Sequence, residues 1–372
     1  MKAPSIAFLV FVASLGFAPL RSADEPIDMA RAQQLHNRFV RGEKLTPEEQ
    51  AYYERALALR NKGAGKGKSS KSAVPPKWTQ HLTPLTELGG GKYKGQDGGL
   101  YGGGHNEPPK AHFDAAMKEA AKIQPLDADG KPSSGGKIVL LCVGMSNTTM
   151  EFSVFKSMAD ADPAKSPRVV LVDGAQSGQD ARKTSDPAYP YWQKIDDRIE
   201  KAGVTPKQVQ AVWFKQAIIE PHEEFPAEAK RLQSFEATIM NIIKTRYPNT
   251  KICYLSSRTY GGYATSSLNP EPFAYEDAFG VRWLIQEQIN GEAKLNYDPA
   301  RGEVKAPLLL WGPYLWADGE TPRKADGFIY TMDDVMAKDR THPSESGRRK
   351  VAGLLLNFLK NEPTAKGWFV TR

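Results

Sequence analysis

The chain has 372 residues, 40% hydrophobic and 25% charged, a balance that suits a folded globular protein with one large core and an appendage, or with two domains. Its formal charge of +7 is modest, and an acid-free stretch holding Arg60, Lys62, Lys66, Lys68, Lys71 and Lys77 supplies much of it, which leaves no face set aside for nucleic acid. The two cysteines, Cys142 and Cys253, fall inside apolar runs, the setting of buried free thiols, and this disfavours cysteine-nucleophile chemistry.

In chain order, residues 1–23 read as a secretory signal: Lys2 precedes an apolar run, and Ser22-Ala23 forms a small-residue exit. The expectation is export to the periplasm or the extracellular space, with no stable membrane span after cleavage. Residues 24–60 read as a small helical hairpin. Gly42 closes its first helix, while Thr46 and Glu49 form a capping box with Pro47 at the first position of the second. Residues 61–77 are rich in Gly, Lys and Ser and read as a flexible basic linker. Gly67-Lys68-Ser69 superficially suggests a phosphate-binding loop, but that motif requires glycine where Lys62 stands. The remaining domain, 78–372, opens on a glycine-rich segment to 109 that is expected to wrap the rest.

Beyond Gly136 short apolar runs at 138–143, 169–172, 209–214, 252–255 and 308–311 alternate with helical stretches at 148–159, 188–202, 227–246 and 275–289. A final amphipathic helix carries Val351, Leu354, Leu355, Phe358 and Leu359. Apolar runs without polar alternation are the mark of parallel strands covered on both faces. The predicted fold is therefore α/β: a doubly wound three-layer α/β/α sandwich on a mainly parallel five-stranded sheet. Such sheets hold their chemistry at the carboxyl ends of the strands.

The first run exits into Gly144-Met145-Ser146-Asn147. A serine after a buried strand, opening a helix, either presents its hydroxyl at the active edge or merely caps the helix. The end of the chain decides between them. Of the six histidines only His342 has an aspartate three residues ahead, Asp339, a spacing that lets a carboxylate orient the ring while its other nitrogen meets a nucleophile.

On these residues the chain resembles the SGNH/GDSL hydrolase superfamily, over roughly 136–358. Gly144-Met145-Ser146-Asn147 is similar to the nucleophile block, in a Ser-Asn form closest to sialate O-acetylesterase-like carbohydrate esterases; 172–178 is similar to the second block, and Asp339-Arg340-Thr341-His342-Pro343 to the last. The third block departs from Gly-x-Asn-Asp and reads Trp213-Phe214-Lys215-Gln216-Ala217. The resemblance implies a flavodoxin-like SGNH fold with Ser146, Asp339 and His342 as catalytic residues. It also implies an oxyanion hole of the Ser146 and Gly178 N–H groups, with Gln216 standing in for the family asparagine or else serving as a buried amide. No metal and no organic cofactor are implied. Asn147 is a candidate substrate contact; Arg258, Tyr260 and Tyr263, after the fourth strand, are candidates to bind a sugar or an acid, and Trp311, Tyr314 and Trp316 to add aromatic surface, each equally open to core or rim packing. The implied activity is hydrolysis of an ester, an O-acyl group on a small molecule or polysaccharide. The alternatives are a glycan-binding surface protein with little turnover, or an O-acyltransferase using the same residues. The acidic stretch around His222 resembles a metal cluster by composition only and reads as a loop lining the cleft.

Overall fold

The computed structural model describes residues 45–63 and 79–371, together with Ile27, Asp28, Arg31 and Leu35. The chain divides into two compact units, Met1–Pro75 and Pro76–Arg372. The predicted signal segment, the first helix of the hairpin and most of the linker lie outside the described residues. In the first unit, helix α1 spans Pro47–Gly63, past the predicted end at 60. Its capping box is formed: the Thr46 N–H donates to Glu49 Oε2 (2.9 Å) and the Glu49 N–H to Thr46 Oγ1 (3.2 Å). Tyr52 and Tyr53 pack with Leu35.

The second unit is built on a five-stranded parallel sheet: β1 (Ile138–Gly144), β2 (Val169–Asp173), β3 (Val209–Lys215), β4 (Ile252–Leu255) and β5 (Leu308–Trp311). All five coincide with the predicted runs to within a residue. Side chains along each strand alternate between two cores. Val139, Leu141, Val143, Val212 and Phe214 enter one, while Ile138, Leu140, Cys142, Ala211 and Trp213 enter the other. Because both faces are covered, neither could be polar, which is why the strands read as unbroken apolar runs.

The first core is covered by α6 (Pro190–Lys201), α7 (Ala227–Arg246) and α8 (Phe273–Ile289), which bring Ile195, Leu232, Ile243 and Phe279. The second is covered by α4 (Ser146–Ala161), α9 (Glu345–Asn361) and α10 (Pro363–Phe369), which bring Phe152, Val351, Leu355 and Trp368. Before the sheet lie the single-turn α2 (Leu85–Leu88) and α3 (Lys110–Ala120), and the single-turn α5 (Ala181–Thr184) follows β2. Helix α3 was not anticipated; its buried side chains are only His112 and Ala116, too sparse a stripe to announce a helix. The glycine-rich segment is bonded to α8, with Arg282 donating to the Asp97 carbonyl (2.6 Å) and Gln286 to the Tyr101 carbonyl (2.9 Å).

The strand order is β2-β1-β3-β4-β5. The chain moves outward from β1 to β2, then returns to the other side of β1 to lay down β3. This reversal opens a crevice at the carboxyl ends of β1 and β3, where doubly wound sheets bind their ligands. Ser146 follows β1 directly.

One polar interaction crosses the core beneath that crevice. Lys215, ending β3, and Glu151, on α4, are both wholly buried, with Lys215 Nζ 2.7 Å from Glu151 Oε1. Burial pulls the ammonium's pKa down, and the carboxylate pushes it back up. Removing one partner strands the other charge in an apolar interior, so Glu151→Gln or Lys215→Met should each cost about 3–5 kcal/mol in urea unfolding. The double replacement Glu151→Leu/Lys215→Met should recover a large part of that loss. Additive losses in the double variant would show that the two side chains stabilise independently.

Candidate active site

The turn that carries Ser146 is shaped by close approach. A side chain at Gly144 would meet the Lys215 carbonyl oxygen at 2.4 Å, so the step from β1 into α4 requires glycine. Tyr191 braces that glycine from behind: its hydroxyl accepts from the Gly144 N–H (2.9 Å) and donates to the Gly144 carbonyl (3.1 Å). The first turn of α4 is tied to both neighbouring strands. Thr148 Oγ1 donates to the Lys215 carbonyl on β3 (2.9 Å), and Thr149 Oγ1 donates to Asp173 Oδ2 at the end of β2 (2.5 Å). Burial raises the Asp173 carboxyl to about 6 despite that hydrogen bond.

The turn ahead of α9 brings His342 across the crevice. His342 Nε2 lies 2.8 Å from Ser146 Oγ, and His342 Nδ1 lies 2.7 Å from Asp339 Oδ2. With the carboxylate as acceptor, Nδ1 carries the ring proton and Nε2 is free to accept from the serine hydroxyl. The other Asp339 oxygen accepts the backbone N–H groups of His342 (2.9 Å) and Thr341 (3.0 Å). Burial opposes ionisation of Asp339, but those backbone donors and the imidazole outweigh it and hold the carboxyl below the ordinary carboxylate range. This compact turn puts Arg340 in the left-handed region, with φ of 48°.

The loop after β2 is bonded to the same turn, the Gln176 N–H donating to the Gly144 carbonyl (3.1 Å). Gly178 has φ of 72° and open space where a side chain would project. Among the described hydrogen bonds its N–H has no protein acceptor, while its carbonyl accepts from Lys183 Nζ (2.8 Å). Asp180, fully buried, caps α5 and accepts from the Ile219 N–H (3.1 Å), joining this loop to the one after β3.

Several sequence-predicted contacts are corrected. Gln216 is 1% exposed, and its amide nitrogen donates to the Gln179 carbonyl and to Thr184 Oγ1, both at 3.1 Å. Its two amide hydrogens are thereby committed to Gln179, next to Gly178, and to Thr184 on α5, leaving none for an oxyanion. Asn147, expected at the substrate, is 3% exposed and donates to the Thr341 carbonyl (3.0 Å). Arg258 and Tyr260 are buried as well. The loop after β4 folds back over the sheet edge, so Arg258 Nε bonds Asn269 Oδ1 (3.1 Å) and Tyr260 packs edge-on against Tyr263 and Trp316. Trp311 and Tyr314 likewise belong to the core. The cysteines are free and buried, and among the described residues no group of three His, Cys, Asp or Glu side chains could hold a metal ion. Sequence reasoning missed Glu151 and Lys215. A lysine closing an otherwise apolar strand was the visible signal.

No family model and no curated protein matches the chain. Among solved structures it is similar in backbone to a putative acylhydrolase from Bacteroides fragilis, at 12% identity and a TM-score of 0.37, covering 69% of this chain and 100% of that one. It is also similar to a catalytic mutant of the acetylxylan esterase Axe2 from Geobacillus stearothermophilus, at 16% identity, a TM-score of 0.34 and coverage of 63% and 97%. A third is the periplasmic domain of a Salmonella lipopolysaccharide acetyltransferase, at 10% identity, a TM-score of 0.31 and coverage of 68% and 95%.

Because the Asp339 carboxyl titrates lower in the folded chain than the ~3.9 of an unfolded one, it contributes stability that is present above about pH 5 and lost as pH falls through the folded value. Asp339→Asn should therefore lower Tm at neutral pH. The gap to wild type should narrow steadily below pH 5 in thermal melts, and a gap independent of pH would show that Asp339 carries no linked proton.

Proposed function

We propose that this chain is a serine ester hydrolase of the SGNH type, exported from the cell, that removes O-acyl groups, acetyl foremost, from a carbohydrate or related ester. The observation that carries the reading is the continuous relay Asp339–His342–Ser146, with contacts of 2.7 and 2.8 Å, set in the crevice at the carboxyl ends of β1 and β3.

The chemistry follows from the protonation states that the contacts favour. His342 Nε2 takes the Ser146 proton as Oγ attacks the ester carbonyl, and the developing imidazolium is balanced by Asp339. The carbonyl oxygen becomes an oxyanion facing the N–H groups of Ser146, at the positive end of α4, and of Gly178. Collapse expels the alcohol, which leaves with the proton from His342 and yields an acyl-serine. Water then attacks with His342 again as base, releasing the acid and restoring the hydroxyl. These residues need no metal for any of the steps.

The engagement of Gln216 with the Gly178 loop favours a modest enzyme. An oxyanion hole short of one donor forgoes typically ~10²–10³ in rate. Export rests on the sequence of residues 1–23, and the choice of a carbohydrate rests on the resemblance of the nucleophile block.

Purified protein should hydrolyse p-nitrophenyl acetate and be labelled by a serine-directed fluorophosphonate. Ser146→Ala should lower kcat by about 10⁴–10⁶-fold and abolish the label. Equal rates in the two proteins would take Ser146 out of the chemistry. Products formed from an acetylated sugar with a second sugar present separate hydrolysis from acyl transfer, and glycan binding with neither release nor labelling would point to a binding protein.

A further inference from the structure

Two short pieces of chain, 146–147 and 341–342, meet at two adjacent points. At one, Ser146 Oγ lies 2.8 Å from His342 Nε2; at the other, one residue along each piece, Asn147 Nδ2 donates to the Thr341 carbonyl at 3.0 Å. The first contact is the reacting pair, whose hydrogen bond must break and reform during turnover. The second is buried, with Asn147 3% and Thr341 8% exposed, and takes no part in proton movement.

The His342 turn is braced well on its far side. The Met336 N–H donates to the His342 carbonyl (2.8 Å) and the Ser344 N–H to the Asp334 carbonyl (2.9 Å). Those bonds fix the turn's own shape but not its distance from α4. The loop after β4 grips it from a second direction: the Thr265 N–H donates to the Asp339 carbonyl (3.1 Å), and Ser266 Oγ lies 2.8 Å from Thr341 Oγ1. Since the Thr341 hydroxyl already donates to the Asp339 carbonyl (3.0 Å), Ser266 is the donor in that pair. Thr341, immediately before the histidine, is thus held by its carbonyl from the nucleophile helix and by its hydroxyl from the β4 loop.

We infer that Asn147 is a positioning residue: through the Thr341 carbonyl it sets the gap between Ser146 and His342, with Ser266 supporting the same turn from the other side. Its neighbour Ser146 fixes where the gap begins, and its side-chain length fixes how wide it is. Asn147 Oδ1 lies 3.4 Å from Ser146 Oγ, a long contact beside the 2.8 Å one to His342, so the hydroxyl stays directed at the imidazole. The inference rests on the proposed hydrolase, because a gap set for proton transfer has meaning only where a proton is transferred.

The experiment compares wild type with Asn147→Ala and Ser266→Ala, using steady-state hydrolysis of p-nitrophenyl acetate and a crystal structure of each protein. Asn147→Ala should lower kcat by about 10–100-fold, the cost of misplacing a reacting group by about an ångström, with KM within about threefold of wild type. Ser266→Ala should give a smaller loss of the same kind. A rise in KM at unchanged kcat would make Asn147 a substrate contact and overturn the inference, as would wild-type values of both constants. If wild type turns over no ester, the hydrolase reading fails by itself, and the crystal structures judge the tether. A Ser146–His342 contact opened beyond about 3.5 Å in Asn147→Ala supports it, and an unchanged contact sinks it.

Discussion

A hydrogen bond from a hydroxyl to an imidazole works over a few tenths of an ångström, and here its two ends are 196 positions apart in the chain. Much of the fold around the crevice can be understood as the means of holding that single contact. The serine end is fixed by Gly144, where β3 passes too close for any side chain, by Tyr191 clasping both backbone groups of Gly144, and by Thr148 and Thr149 bonding to the flanking strands. The histidine end is fixed by Asp339, which bonds the ring with one oxygen and the turn's own backbone with the other. One carboxylate therefore sets both the orientation of the imidazole and the shape of the loop that carries it.

Electrostatics reinforce the same geometry from below. Glu151 and Lys215 link α4 to the central strand through a pair shut off from water. Such a pair costs desolvation that its mutual attraction only partly offsets, and its value lies in tolerating few arrangements. A helix sliding along the sheet by even one residue would separate the charges in an apolar interior. The pair thus acts on the register of α4 over the sheet, and through it on the placement of Ser146.

The parts legible in the sequence were those governed by local pattern. Unbroken apolar runs gave the strands because both sheet faces are buried, and the lone Asp-x-x-His at 339–342 singled out a carboxylate and an imidazole that the fold does bring into contact, because no other histidine had a carboxylate at that spacing. The parts that misled were set by loops folding back on one another. Gln216 stands where an amide facing the oxyanion was expected, but its direction depends on where Gln179 and Thr184 lie, and those positions follow from a cap at Asp180. Arg258 and Tyr260 carry the chemistry of a binding surface. They are buried because Asn269 and Glu271, a loop's length later, return over them to bond Arg258 and the Gly261 backbone. Residue type and strand-end position could not distinguish such a group from one facing the crevice.

The separation in sequence between the two halves of the relay has a consequence for the newly made chain. Ser146 leaves the ribosome long before the turn bearing Asp339 and His342, and until that turn docks its hydroxyl lacks the imidazole and carboxylate that the folded chain sets beside it. On the proposed hydrolase reading, reactivity would be withheld from every incomplete or half-folded copy until the turn ahead of α9 docks over the sheet. Truncated products of failed translation would carry the hydroxyl without its two partners.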